Sequence, residues 1–188
     1  MKLLHNIGVS PSGDPRISSN YNTREEILAC DEPLSFDGVY LNVWENRDIL
    51  KGKDVTLFVM GAYVGKDNSF DAGMPLERYC TWEQILELVD DYGCKLGWHT
   101  ETHPDLTALP SHSDLPGMAV IKEVMPPAAI VDDAGNERPF PKKVFAYPYG
   151  RFNNEVKKIV ELCGYDEAWS VTQGDGSRFA KVRTYLNK

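Results

Sequence analysis

Apolar positions along the chain change period several times, and the changes divide it into strands and helices. Residues 8–25 are rich in Ser, Gly, Pro and Asn with no clear period, which predicts an irregular N-terminal segment over about residues 1–30. Leu34-Ser35-Phe36-Asp37 predicts a short strand, and Val43, Trp44, Ile49 and Leu50 suggest a helix within 39–50. Asp54 to Met60 (DVTLFVM) is a near-continuous apolar run rich in β-formers, as a strand buried on both faces requires. Thr81-Trp82-Glu83-Gln84 is a capping box, followed by Ile85, Leu86, Leu88 and Val89 on one broad face and by Gly93 as the C-terminal stop. Lys95–Trp98 predicts the next strand. Pro104, Pro110, Pro116 and Gly117 make 104–117 mostly loop, 118–125 a short helix, and 132–141 a polar turn. Val144–Tyr147 predicts a strand. The helix after it carries Val156, Ile159, Val160 and Cys163 at i, i+3, i+4, i+7 and ends at Gly164. Residues 168–172 and 182–186 predict the last strands. This β-α order implies a parallel sheet with helices outside, open or closed as a barrel. No repeat or domain boundary interrupts 1–188, so a single domain is expected.

Composition narrows the function. The chain of 188 residues has a formal net charge of −8, and its basic residues gather only in doublets such as Lys142-Lys143 and Lys157-Lys158. Nucleic acid is therefore not an expected partner. No apolar run approaches the roughly 20 residues needed to span a bilayer. The four cysteines form no C-x-x-C pair, which disfavours a zinc ribbon and predicts buried free thiols in a reducing compartment. Met1-Lys2-Leu3-Leu4-His5 begins like an export signal, but its apolar stretch stops at once. The expectation is a cytoplasmic protein, or an exported one whose leader has been removed.

The candidate chemistry lies at strand ends. In α/β folds, sites form at the carboxyl ends of parallel strands. Asp37, the pair His99 and His103, and Tyr147-Pro148-Tyr149-Gly150 all fall there. Two imidazoles four residues apart can grip one ion, although alone such a pair reads more readily as ordinary loop histidines. Asp37 would add a hard anionic donor and leave coordination sites open for catalysis.

Leu34-Ser35-Phe36-Asp37-Gly38, Trp98-His99-Thr100-Glu101-Thr102-His103-Pro104 and Phe145-Ala146-Tyr147-Pro148-Tyr149-Gly150 resemble, in order, the first three motifs of the NodB-type polysaccharide deacetylases (carbohydrate esterase family four). The resemblance covers about residues 33–185. It implies an α/β fold: a distorted (β/α) barrel of parallel strands with outer helices, complete or incomplete. It also implies metal-dependent removal of acetyl groups from an N- or O-acetylated carbohydrate. Asp37, His99 and His103 would hold a divalent cation, most often zinc. The Tyr149 N–H would stabilise the oxyanion, and Tyr147, Pro148 and Trp98 would face the substrate, with Trp169 as a further stacking candidate.

The chain departs from that pattern in three places. The family's first motif carries two adjacent aspartates, a base and a metal ligand, and this chain has one. Matching Asp37-Gly38 to the family's Asp-Gly makes Asp37 the ligand and is preferred; matching Phe36-Asp37 to Phe-Asp makes it the base, with Gly38 in the ligand's place. Glu101 and Asp105 are substitute bases, though each reads better as a solvated loop carboxylate. Ala146 stands where many members carry Arg, and Arg183 could supply that cation from another strand or be an exposed strand residue. The family's final Leu-x-His, whose His is the general acid, is absent near Lys188, which leaves His112 as a weak substitute. The alternatives are thus a catalytically impaired relative serving as a carbohydrate-binding or structural module, and a metal-independent C–N hydrolase on the same fold.

Overall fold

A computed structural model describes residues 1–12, 14–109, 117–141, 143–171 and 173–186. Pro110, His112 and Pro116 lie outside the described residues. In chain order the strands and helices are β1 (Lys2–Leu4), β2 (Asn6–Ile7), α1 (Pro15–Ser18), β3 (Tyr21–Asn22), α2 (Arg24–Leu28), β4 (Leu34–Asp37), α3 (Leu41–Glu45), β5 (Val55–Val59), α4 (Trp82–Asp90) and β6 (Lys95–Trp98). They continue as α5 (Met118–Val124), β7 (Ala129–Val131), β8 (Glu137–Pro139), β9 (Val144–Ala146), α6 (Asn154–Leu162), β10 (Glu167–Ser170), β11 (Lys181–Val182) and β12 (Thr184–Tyr185).

Eight strands form one sheet in the order β11-β10-β9-β6-β5-β4-β1-β12, with every neighbouring pair parallel. The sheet curls into a nearly closed barrel with one unsealed seam. The seam falls between β11 and β12, which are separated in sequence by Arg183 alone. The stretch before Arg183 pairs with β10 and the stretch after it with β1.

Strand alternation sorts side chains into two layers. Val55, Leu57 and Val59 of β5 pack outward into the main core with Val43, Ile85, Leu88, Val156 and Val160 of the helices. Leu34 and Phe36 join them, while Ser35 and Asp37 of β4 point into the barrel, where one guanidinium bonds both. The barrel interior is tight. A Cβ at Gly97 would stand 2.5 Å from the Phe58 ring, so only glycine fits there. Helix α4 is stopped and started by its own chemistry. Thr81 accepts from the Gln84 N–H, and Gln84 accepts from the Thr81 N–H, satisfying two otherwise orphaned donors. Its buried Leu88 anchors it, and Leu88→Ala would cost about 2–5 kcal/mol.

The N-terminal 30 residues differ from the irregular segment expected. Lys2–Leu4 is a strand inside the barrel, in register with Leu34–Phe36 on one side and with Thr184 and Tyr185 on the other. Three residues are too few to show a period. This strand is held by partners on both edges rather than by a pattern of its own. Thr23 caps α2 by the same reciprocal bonding with Glu26. Residues 132–141, expected as a polar turn, include the second strand of an antiparallel hairpin, β7–β8. All four cysteines are free thiols, two of them buried. Among the described residues no helix is long and apolar enough to cross a membrane.

Candidate active site

Three strand ends meet at one mouth of the barrel, and they carry strained backbone. The described non-glycine residues with positive φ are Val39 (45°), Thr100 (72°), His103 (59°) and Tyr149 (56°), and each follows β4, β6 or β9. L-residues reach this region at a cost of roughly 1–2 kcal/mol each. Such strain persists where the surroundings over-determine it, and it concentrates at functional sites.

Asp37 ends β4 at the floor of a cavity of about 270 Å³, buried to 5% exposure. Arg183 holds it with two bonds, Nη1 to Oδ1 at 2.5 Å and Nη2 to Oδ2 at 2.9 Å. A third bond from Nη1 reaches Ser35 Oγ at 3.2 Å. Arg183 has no exposed surface, and its guanidinium lies 4.9 Å from the centre of the Phe58 ring. It is not an exposed strand arginine: its guanidinium is buried at the seam of the barrel against Asp37. Burial alone would raise the Asp37 pKa, but the charges of Arg183 and His99 and the Arg183 bonds hold it well below the usual carboxylate range.

His99 follows β6. Its backbone N–H donates to the Val59 carbonyl at 2.8 Å, and its ring Nδ1 stands 2.8 Å from the Ala146 carbonyl. A carbonyl only accepts, so Nδ1 carries the proton and Nε2 presents a lone pair. Burial lowers the His99 pKa, which keeps the ring neutral at pH 7. Nε2 faces Asp37 Oδ2 at 3.5 Å. Two acceptors opposed at that distance call for a donor between them.

His103 stacks edge-on to His99, with ring centres 4.8 Å apart, and lies 4.7 Å from the Tyr149 ring. Burial pushes its pKa down to about 3. Its N–H donates to Thr100 Oγ1 at 2.9 Å, which fixes the left-handed turn. Tyr149 sits at the tip of the Pro148–Gly150 turn with its side chain on the rim. The Gly150 and Arg151 N–H groups close the turn onto Tyr147 and Pro148 at 2.9 and 3.0 Å. Among the described residues the Tyr149 N–H has no bonded partner, as an oxyanion donor requires.

The three residues expected to face substrate are in the core behind the pocket. Tyr147 is fully buried, donates to the Phe179 carbonyl at 2.9 Å and packs against Phe152. Trp98 is fully buried and donates to the Glu123 carbonyl at 2.9 Å. Pro148 is buried beneath the turn. The two substitute carboxylates do not line the cavity either. Asp105 pairs with Arg151 at 2.7 Å, and Glu101 lies against Gly61.

His5 is the residue sequence reasoning missed. It follows β1, lines the same cavity, and its buried Nδ1 has no partner. Burial lowers its pKa to about 4, with the Asp37 charge opposing and those of Arg183 and His99 adding. The signal was present in Leu3-Leu4-His5. Leu3-Leu4-His5 has the same Leu-x-His spacing as the motif sought near the C-terminus, here directly after a strand that lies between β4 and β12.

A shared cation fits the spacing of Asp37 and His99. Ligands about 2.0–2.1 Å from one tetrahedral ion stand roughly 3.4 Å apart, close to the Asp37–His99 separation. However, both Asp37 oxygens are already bound by Arg183. Among the described residues no three of His, Cys, Asp and Glu are arranged to hold an ion. Gly38 (φ 86°) occupies the place beside Asp37, and a Cβ there would meet Tyr79 at 3.0 Å and Met60 at 3.1 Å. The one carboxylate at the floor is thus committed to Arg183, and the position beside it holds no side chain.

The model of a family described as polysaccharide deacetylase matches residues 33–168. YxkH, a proposed polysaccharide deacetylase of Bacillus subtilis (strain 168), is 25% identical over 148 residues, 77% of this chain and 46% of that protein. The chain thus spans about half the length of this curated relative. The Streptococcus pyogenes deacetylase PplD in complex with acetate superposes with a TM-score of 0.66 at 18% identity, over 98% of this chain and 91% of that one. IcaB from Ammonifex degensii gives 0.61 at 19% identity, over 98% and 90%. At these identities the two structures establish the fold.

Proposed function

Because this chain belongs to the polysaccharide deacetylase family, we propose that it hydrolyses an acetyl group from an N- or O-acetylated carbohydrate, with Asp37 and His99 activating the water. The opposed acceptors Asp37 Oδ2 and His99 Nε2, 3.5 Å apart, carry this reading. A water placed there donates one hydrogen to each and turns a lone pair toward the cavity. Its oxygen attacks the acetyl carbonyl as His99 Nε2 takes the proton, and the Tyr149 N–H receives the developing oxyanion. The imidazolium formed is stabilised by the adjacent Asp37 carboxylate. As the bond from carbonyl carbon to sugar nitrogen or oxygen breaks, that proton passes to the leaving atom and acetate departs. His5, neutral and on the same cavity, is a second carrier for it. In this reading Asp37 aligns with the first aspartate of the motif, Gly38 stands in the ligand's place, and the proton goes to His99 with Asp37 as its counter-charge.

Zinc, implied by the motifs, finds no three side chains arranged to hold it among the described residues, so no step runs through it. Elemental analysis after equilibration with zinc tests this point, and the reading expects less than one equivalent. A full equivalent lost in His99→Ala would restore the cation-dependent mechanism.

A second reading is a silent relative that binds acetylated carbohydrate without cleaving it. The Arg183 clamp favours it, because a carboxylate held far below its usual range is a weak base. Acetate release from N-acetylglucosamine oligomers separates the two. The hydrolytic reading expects turnover lost in Asp37→Asn. Binding without release would leave the silent one.

A further inference from the structure

The segment between β5 and α4, residues 61–80, folds over the cavity mouth as a tied loop. Buried Asn68 organises it: Nδ2 donates to the Pro75 carbonyl at 2.9 Å, and Oδ1 accepts from the Glu77 N–H at 2.8 Å. The Asn68 carbonyl accepts from the Asp71 N–H at 2.9 Å, and Tyr21 Oη donates to Glu77 at 2.7 Å, fastening the loop to β3. This frame presents two neighbours to the cavity. Phe70 lies flat on Tyr63, ring centres 4.0 Å apart and 17° between planes, yet keeps 42% of its surface exposed. Asp71 lines the cavity, and no described side chain pairs with it.

The charge balance of the cavity follows. Two carboxylates line it, and Asp37 is paired with Arg183. Asp71 is therefore the one carboxylate without a basic partner among the described lining residues. Its field also reaches the site, raising the pKa values of Tyr40, Tyr79 and Tyr149 alongside their burial. An open aromatic face beside a lone carboxylate suits a pyranose that bears a protonated amine: the ring stacks, and the ammonium finds both the carboxylate and the ring face.

We propose that Phe70 and Asp71 form a subsite for an amino sugar with a free amine, so that the protein prefers a partly de-N-acetylated chain over a fully acetylated one. The inference rests on the carbohydrate reading above and deepens it. Binding would be measured by calorimetry at low salt with two oligomers of equal length, one fully N-acetylated and one with a single free amine. The parent should bind the amine-bearing oligomer about five-fold more tightly, as one partly exposed ion pair provides. Asp71→Asn should erase that ratio, and Phe70→Ala should weaken both ligands while keeping it. Equal binding of the two by the parent, or a ratio that survives in Asp71→Asn, would overturn the inference. Binding with the expected ratio but no acetate release would spare the subsite and remove the hydrolytic reading. Acetate release without any amine preference would do the reverse, and binding of neither oligomer would overturn both.

Discussion

The floor and the rim of the cavity are built by different means. The floor is Asp37, His99 and Arg183, delivered by paired strands and by the barrel seam, buried, with both oxygens of Asp37 and the Nδ1 of His99 bonded. The rim is Tyr149, Phe70 and Asp71, carried on loops, with Tyr149 58% exposed and its backbone at φ 56°. A floor held by the sheet keeps its geometry and sets chemistry. A rim held by turns and side-chain bonds sets what enters. Substitutions in the floor should therefore change turnover or folding, and those in the rim should change affinity.

The largest effects belong to the floor. Asp37→Asn should lower acetate release about 10³-fold or more, because the imidazolium loses its counter-charge. His99→Ala removes the proton acceptor and should cost about 10²–10⁴-fold. Steady-state acetate assays check both, and a drop under ten-fold for either would break the assignment.

Arg183→Met tests the floor as structure. It leaves a buried carboxylate unpaired and should cost about 3–5 kcal/mol in urea unfolding at pH 7. The pH dependence separates this from a simple packing defect. Asp37 is depressed in the folded parent, so its contribution is present above about pH 4 and is lost as pH falls through the folded value. In Arg183→Met, burial acts without the opposing guanidinium and raises the Asp37 pKa. Acidification toward pH 4 should then recover part of the lost stability. A variant that weakens in parallel with the parent would contradict the clamp.

Smaller effects belong to the rim. Phe70→Ala should raise KM about two- to ten-fold with kcat kept, the size of a stacking contact. Tyr149→Gly should change turnover least, because the oxyanion donor is main chain and glycine adopts the same φ without strain. A hundred-fold loss there would mean the ring, rather than the N–H, does the work.

Much of the barrel was legible in the sequence, for reasons the packing explains. VTLFV reads as a strand because both of its faces are buried, and the α4 and α6 boundaries follow from Thr81 and Asn153, which cap as their residue types predict. The strand-end rule also placed Asp37, His99, His103 and Tyr149 at one mouth. What sequence missed has no period to read. His5 follows a three-residue strand, and Phe70-Asp71 lies in a polar loop organised by one buried asparagine. Arg183 gave no sign of burial, because its partner is 146 positions away. Trp98 and Tyr147 misled because an aromatic beside a motif can serve either the pocket or the core, and here the outer core took both.

The most direct test is acetate release from N-acetylglucosamine oligomers by the parent and Asp37→Asn in chelator-treated buffer. The account predicts release by the parent and at least a 10³-fold loss in the variant. Release that appears only on adding zinc, or that survives in Asp37→Asn, would contradict it.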